Sequence, residues 1–122
     1  MPAALAGAQA APTRFQLACM TLPYAAFPLE RALTGIALAG YRYVAWGVQH
    51  ERKPLLDVAA PAGDAARLAR RCGDMGLTPV MMFSTVNLEA ANAVDAHRRR
   101  IAQAAAAGIP FLLTFGKTGK GE

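Results

Sequence analysis

The residues of this sequence that could most clearly take part in a reaction or in binding are the neighbouring His50 and Glu51, with Trp46 four residues before the histidine. Imidazole changes its charge near neutral pH, so His50 can take a proton or bind a sugar hydroxyl group. The ring of Trp46 can stack on a sugar, as aromatic faces do. The alternative interpretation is a solvated loop histidine and a tryptophan packed in the core.

Other polar residues offer weaker chemistry. Ser84 and Thr85 follow an apolar run and can donate hydrogen bonds to substrate oxygens, or they hold a turn. His97 lies beside three arginines and is interpreted as a partly exposed residue of a helix. Cys19 has no basic neighbour that would favour a thiolate, so an inert buried thiol is predicted. The spacing of Cys19 and Cys72 matches no redox or metal motif, which favours a reduced, cytoplasmic setting.

Nucleotide-binding motifs are incomplete. Gly116, Lys117 and Thr118 follow an apolar run as in a phosphate-binding loop, but Phe111 stands where that loop needs its first glycine. No Gly-x-Gly-x-x-Gly follows the first apolar run. Neither a P-loop nor a dinucleotide site is predicted.

The composition describes one globular domain. The chain has 122 residues, of which 54% are hydrophobic and 17% charged, enough apolar surface for a core. No apolar run is long enough to span a membrane. The net charge of +5 is spread over arginines on predicted helices, so nucleic acid is not among the expected partners. Residues 1–13 are interpreted as a flexible lead-in and residues 14–122 as the domain.

These residues sit within a repeated order of apolar run, loop, amphipathic helix and glycine, which predicts a parallel sheet covered by helices. Helices are predicted from Pro28, from Pro61 and from a cap at Asn87, with stops at three glycines. The third helix is predicted to turn Ala90, Val94, Ile101 and Ala105 inward. The four predicted strands are Phe15 to Met20, Tyr41 to Trp46, Leu77 to Phe83 and Ile109 to Phe115.

The order and spacing of three segments resemble a known family. These segments are Leu29 to Val44, Gly76 to Val80 and Arg100 to Leu112. They resemble the opening of the xylose-isomerase-like (β/α)8 barrels, which include sugar phosphate isomerases and epimerases and the family-2 AP endonucleases. The resemblance covers residues 14–116. It implies an α/β fold with about four parallel strands and three helices, the N-terminal half of a TIM barrel.

The sequence departs from the family at two points. Ala45 stands where many members carry a glutamate directly after the valine of the second strand, and a full barrel needs about 250 residues. The family's divalent-metal ligands belong to later strands, so no metal ligand is assigned here. The resemblance therefore implies a divalent metal for the complete barrel and none for this chain alone.

Three functions follow as hypotheses. The first is part of a metal-dependent sugar or sugar phosphate isomerase or epimerase, inactive alone, with Trp46, His50, Glu51 and Ser84 on the substrate side and no catalytic residue assigned. The second is a non-catalytic association module that self-associates or needs a partner half-barrel. The third is an AP endonuclease-like protein, against which the low density of metal ligands counts.

Four strands of a barrel would leave two open edges and an uncovered axial face. If Leu17, Val44 and Leu113 face the helices, the residues predicted to face the barrel axis are Gln16, Ala18, Ala45 and Thr114. The chain is therefore expected to form dimers or larger species unless a partner supplies the other strands.

Overall fold

The computed structural model of the chain describes residues 10–117. Residues 1–9 and 118–122 lie outside this range, so the predicted lead-in is described only from residue 10 and the Gly116 to Thr118 motif only to Lys117. Residues 10–17 have no regular secondary structure and are exposed. The first strand is thus shorter than the predicted run from Phe15.

The fold is α/β and alternates strands with helices, as the repeated pattern predicts. The strands are β1 (Ala18–Met20), β2 (Tyr43–Ala45), β3 (Gln49–His50), β4 (Lys53–Pro54), β5 (Thr78–Ser84) and β6 (Phe111–Thr114). The helices are α1 (Leu29–Leu38), α2 (Ala62–Asp74) and α3 (Ala93–Ala107), with one 3-10 turn, Leu22–Tyr24, after β1.

Four of the strands form one parallel sheet in the order β1-β2-β5-β6. Met20 pairs with Ala45, Ala45 with Met81, and Met81 with Phe111, so these four residues lie at one level across the sheet. Pro79 pairs with Val44 of β2 and lies two residues before Met81, where the pairing of β5 with β6 begins. The missing N–H of Pro79 therefore faces no neighbouring strand. The predicted parallel sheet with three helices is confirmed.

The three helices pack on one face of this sheet. Leu33 and Ile36 from α1, Cys72 from α2 and Ala104 from α3 meet the strand residues Val44 and Met82 in one apolar cluster. Cys19 and Leu112 are half-buried against the same cluster. The burial of Val44 toward the helices agrees with the sequence prediction.

The third helix begins later than predicted and turns a different face inward. It starts at Ala93 after Asn92, so Asn87 does not cap it and Ala90 lies before it. The predicted inward residues Val94 and Ile101 are 68% and 59% exposed. The residues buried instead are Ala93, Ala96, Gln103 and Ala104. Gly108 adopts the left-handed conformation that ends the helix, as predicted.

A small hairpin replaces the loop predicted after the second strand. β3 and β4 pair antiparallel, and the turn residues Glu51 and Arg52 have φ values of 50° and 63°. Positive φ at both central residues is the geometry of a tight type I′ turn. The hairpin folds toward the 3-10 turn, where the N–H of Glu51 donates to the carbonyl of Ala25 at 2.8 Å.

Within residues 10–117 no helix covers the other face of the sheet, which is apolar, and we call it the open face. It carries Tyr43, Ala45, Met81, Phe83, Phe111 and Leu113, which share one direction through the strand pairing. Phe111 is 64% exposed and Leu113 is 42% exposed. Phe115 continues this row and stacks on Phe83, with ring centroids 5.9 Å apart.

The side chains of β6 face the opposite sides of the sheet from those predicted. Leu113 pairs with Phe83 on the open face, whereas Thr114 pairs with the buried Ser84 on the helix side. The expectation that Thr114 faces the axis and Leu113 the helices is wrong. Ala18 and Ala45 do lie on the open face through their pairing with Tyr43 and Met81.

Within the described residues, none of the helices has both the length and the apolar character needed to cross a membrane.

Candidate functional site at the carboxyl edge of the sheet

The loops after the strands of the sheet meet at one edge, where open α/β sheets and barrels place their ligands. At this edge β1 leads into the 3-10 turn, β2 into Trp46 and the β3–β4 hairpin, and β5 into the segment before α3. The N–H of Thr21 donates to the carbonyl of Ala45 at 3.0 Å, and that of Trp46 to Met81 at 2.8 Å, so the pairing continues past the strand ends.

Gly47 sets how closely the loops after β1 and β2 approach each other. Its N–H donates to the hydroxyl of the fully buried Thr21 at 2.8 Å. A β-carbon at Gly47 would lie 2.9 Å from both the amide nitrogen of Leu22 and that hydroxyl oxygen. No side chain fits in this space without movement of the backbone of Leu22.

A cavity of about 230 Å³ lies between the hairpin and the segment after β5. Its lining includes Val48, Gln49, Pro54, Asp57, Thr85 and Arg100. Residues that carry a guanidinium, a carboxylate, an amide and a hydroxyl group therefore line one small space at the carboxyl edge. Such a mixed set can donate and accept hydrogen bonds with a polar small molecule.

Arg100 and Gln103 of α3 hold the segment that leads into α2. The Arg100 guanidinium donates to the carbonyl of Leu56 and to the amide oxygen of Gln103, both at 2.8 Å. The Gln103 amide nitrogen donates to the carbonyls of Asp57 at 2.9 Å and Ala60 at 3.0 Å. Gln103 is 1% exposed, so these bonds satisfy carbonyls that water reaches poorly.

Burial changes the pKa of two groups near this region. Desolvation lowers the pKa of Arg100 from its usual value, and the charge of Asp57 partly offsets that effect. Burial raises the pKa of the Cys72 thiol, an effect that the nearby Trp46 indole and Arg71 partly offset. Cys72 is therefore a neutral thiol inside the core, as its apolar pattern favours.

Trp46, predicted to contact a substrate, lies at the carboxyl edge with its side chain in the core. It is 1% exposed and packs among Leu33, Val44, Leu56 and Cys72. Its indole nitrogen is buried, and in the described part of the chain no atom, the nearby Cys72 sulfur included, meets it with hydrogen-bond geometry. This placement matches the alternative interpretation of a large core residue.

His50 lies on β3 and is 6% exposed, which differs from a solvated loop residue. Its Nδ1 lies 2.9 Å from the carbonyl oxygen of Phe27. Because a carbonyl only accepts, Nδ1 carries the hydrogen in this contact. Its Nε2 is buried and has no hydrogen-bond partner among residues 10–117. The side chain thus connects the hairpin to the residue before Pro28 and α1.

Glu51 alone among the predicted site residues is exposed. It lies at the tip of the hairpin and borders a shallow depression of about 520 Å³ with Ala25, Gln49 and Arg52. Its side chain therefore projects beside a different space from the cavity near Arg100.

Ser84 is fully buried at the end of β5 and faces the helices. Its hydroxyl oxygen lies 2.7 Å from Nδ1 of His97, on α3. A serine beside a histidine is the arrangement of an activated nucleophile. Within the part of the chain that the structure describes, Ser84 has no exposed surface that a substrate carbonyl could reach, and the Nε2 of His97 is buried without a hydrogen-bond partner. The contact therefore connects β5 to α3.

The four predicted substrate residues share one edge of the sheet but no common space. Trp46 and Ser84 lie beneath the loops, His50 inside the hairpin and Glu51 at its tip. Their contact with a substrate stays a prediction. Thr85, which the sequence analysis paired with Ser84, is exposed and lines the cavity near Arg100.

The donor set described here does not form a metal site. Over residues 10–117, no three side chains among histidine, cysteine, aspartate and glutamate lie together so as to hold a metal ion. The metal that the family resemblance implies for a complete barrel would need ligands from outside this part of the chain. No step of a reaction is derived through it.

Sequence reasoning missed Asp57, Arg100 and Gln103. Arg100 belongs to a run of three arginines that predicts a wet helix face, yet it is half-buried while Arg98 and Arg99 are exposed. The available signal was Gln103, a lone polar residue between small apolar residues of the same helix. A polar residue in that position favours a buried hydrogen-bonding role over a solvated one.

In comparisons with protein-family models, with curated proteins and with solved structures, the chain matches none.

Proposed function

We propose that this chain is one half of a parallel (β/α)8 barrel and functions as an association unit, whose open face and edge strands are covered by a second set of strands. The observation that carries the proposal is the open face itself. All three helices lie on the other side of the sheet, and Phe111, Leu113 and Phe115 remain 64%, 42% and 45% exposed.

The area supports this proposal. With about 200 Å² for a large apolar residue, these three side chains leave about 300 Å² of adjoining apolar surface in water. That is a large share of the biggest apolar patch on a typical monomer, and such patches mark interaction sites. The edges β1 and β6 add backbone groups without a neighbouring strand.

The order of strands also supports a half-barrel. Strands in chain order, parallel, with a helix between successive members, are the arrangement of a (β/α)8 barrel, and an open doubly wound sheet would carry helices on both faces.

The completed barrel is proposed to act on a sugar or sugar phosphate as an isomerase or epimerase. The support is the resemblance of Leu29 to Val44, Gly76 to Val80 and Arg100 to Leu112 to that family. In this scheme the cavity near Arg100, which the exposed Thr85 lines, contributes to substrate binding. The metal ligands come from a half of different sequence, because residues 10–117 hold no such group, so a barrel closed by two copies of this chain would not have this activity. The isolated chain is expected to have no isomerase activity.

A fluorescent dye that binds apolar surface, used together with light scattering, tests the association unit. The full chain is expected either to associate or to bind the dye, and Phe111→Lys should weaken whichever occurs. Leu38→Lys is the matched control, because Leu38 is 83% exposed at the end of α1. A monomer that binds no dye, or equal effects of the two substitutions, would overturn the proposal.

A further inference from the structure

We propose that the second set of strands is a second copy of this chain, placed by a two-fold axis parallel to the strands, so that two copies close one eight-stranded parallel barrel. This inference rests on the proposed function. In the closed barrel, β6 of each copy pairs with the segment from Phe15 through β1 of the other copy.

The number and direction of the strands favour this arrangement. A rotation about an axis parallel to the strands leaves every strand pointing the same way, so four parallel strands become eight. Both copies keep the order β1-β2-β5-β6, which brings β6 of each copy beside β1 of the other. Two identical seams then remove all four edges at once.

The pairing within one copy predicts the register at the seam. Met20 and Phe111 lie at one level through Ala45 and Met81. An eight-stranded barrel of this type has a shear of about eight residues, so half a turn moves the register by about four, toward the amino end because of the hand of the strand tilt. Phe111 should therefore lie beside residue 16 of the other copy, four residues before Met20.

This register explains why the first predicted strand is longer than β1. The sequence pattern starts at Phe15, but only Ala18–Met20 pair with β2, and Phe15 and Leu17 are 80% and 71% exposed. At the seam these residues would acquire the pairing that their apolar pattern predicts. Gln16 would face the axis with Phe111, because an even shift preserves the direction of side chains.

The exposed apolar area at the two seams is close to what a stable dimer needs. Phe111, Leu113 and Phe115 on the axial side expose about 300 Å² per copy, and Phe15 and Leu17 on the opposite side of the same seam expose about 300 Å², on the same scale of about 200 Å² per residue. Two copies would bury at most about 1,200 Å² of this surface, against the roughly 1,000 Å² that a specific interface needs. Seven of the 13 lysines and arginines lie on the three helices, on the other side of the sheet: Arg31, Arg67, Arg70, Arg71, Arg98, Arg99 and Arg100.

Sedimentation of the full chain gives the first test. The expected result is a discrete species of twice the 12.8 kDa chain mass, which Phe111→Lys converts to monomer while Leu38→Lys does not. A monomer that still binds the apolar-surface dye would overturn the second copy as the partner and leave the association unit standing. A monomer without dye binding would overturn both, and polydisperse aggregates would overturn the two-fold closure.

A cross-link across the seam gives the second test and separates a closed barrel from two sheets packed face to face. Phe15→Cys and Pro110→Cys, which the predicted register places side by side on the outer side of the seam, are combined in a Cys19→Ser background and treated with a short bismaleimide. Within one chain β1 and β6 are three strand spacings apart, about 14 Å, which a short linker does not cross. A covalent dimer is expected. Its absence in a protein that sediments as a dimer would overturn the seam.

The matched control for the cross-link carries Phe15→Cys and Arg67→Cys in the same background. Arg67 is exposed in the first half of α2. This pair should remain monomeric on a denaturing gel. Equal cross-linking of the two pairs would indicate random collision and would contradict the proposed seam.

Discussion

Replacing His50 with alanine should destabilise the protein, because the ring is buried and holds the hairpin to the segment before α1. The substitution removes the hydrogen bond from Nδ1 to the carbonyl of Phe27, 2.9 Å long, worth about 1 kcal/mol. It also removes most of a ring from a site that is 6% exposed, which costs roughly a further 1–2 kcal/mol. We expect a total of about 2–3 kcal/mol.

The unfolding free energy from urea titration measures this loss, and the melting temperature should fall by about 10 °C. His50→Asn is the informative second variant, since its amide nitrogen can still donate to the Phe27 carbonyl and should recover part of the loss. Gln49→Ala, an exposed neighbour on the same strand, should stay within about 0.5 kcal/mol. The reasoning is refuted if His50→Ala unfolds at the urea concentration of the wild type.

Three further changes test the positioning of the loops. Gln103→Met keeps the size of the side chain and removes its donors. It should lower the free energy of unfolding in urea by about 2–3 kcal/mol, because the carbonyls of Asp57 and Ala60 lose their partner. Arg99→Ala on the exposed side of the same helix should cost less than about 1 kcal/mol, and equal losses would contradict the role of Gln103. Gly47→Ala should cost about 1–3 kcal/mol, since its β-carbon meets the backbone of Leu22, whereas Gly73→Ala meets nothing within 4 Å and should not destabilise the helix; a stable Gly47→Ala would show that the loops after β1 and β2 can separate. Cys72 should react with a thiol reagent far more slowly than the half-buried Cys19, because burial raises the pKa of the Cys72 thiol, and one fast and one slow phase are expected at neutral pH; two equally fast phases would place Cys72 at the surface.

The order of elements could be predicted because glycine and proline residues mark the ends and the beginnings of the helices. Gly40, Gly76 and Gly108 follow the three helices, and Pro28 and Pro61 precede the first two. The apolar runs between these residues are therefore predicted to form the strands of a sheet. The parallel pairing then follows from the helix between successive strands.

The facing of β6 could not be predicted because its sequence has no alternation. Residues 109–115 are nearly all apolar, so a period of two gives no preference for either side. Only the pairing with β5 determines that Leu112 packs on the core and Leu113 lies on the open face. A shift of one residue exchanges the two faces of a strand.

The inward face of α3 was mispredicted for a related reason. Val94 and Ile101 are the large apolar residues of that helix and were assigned to the core, yet both are exposed. The residues that pack inward are mainly alanines, whose small side chains allow the helix to lie close to α2 and the sheet. Hydrophobic size alone does not identify the face of an alanine-rich helix.

The position of His50 depends on a turn that the residue types of the sequence do not indicate. Glu51 and Arg52 adopt positive φ although neither is glycine or asparagine, the residues that usually indicate such a turn. Without that signal, the segment after Trp46 was predicted as an open loop and His50 as a solvated or substrate-facing residue. The hairpin instead turns His50 inward against Phe27.

The most direct measurement of the central claim, that the open face is an association surface filled by a second copy, is the melting temperature as a function of protein concentration. For a closed two-copy barrel the melting temperature should rise clearly over about a hundredfold increase in concentration, because unfolding releases two chains. Phe111→Lys should abolish that rise, since the side chain of Phe111 is 64% exposed and in the proposed barrel would be covered at the seam. A wild-type melting temperature that does not depend on concentration, and that Phe111→Lys leaves unchanged, would contradict the claim.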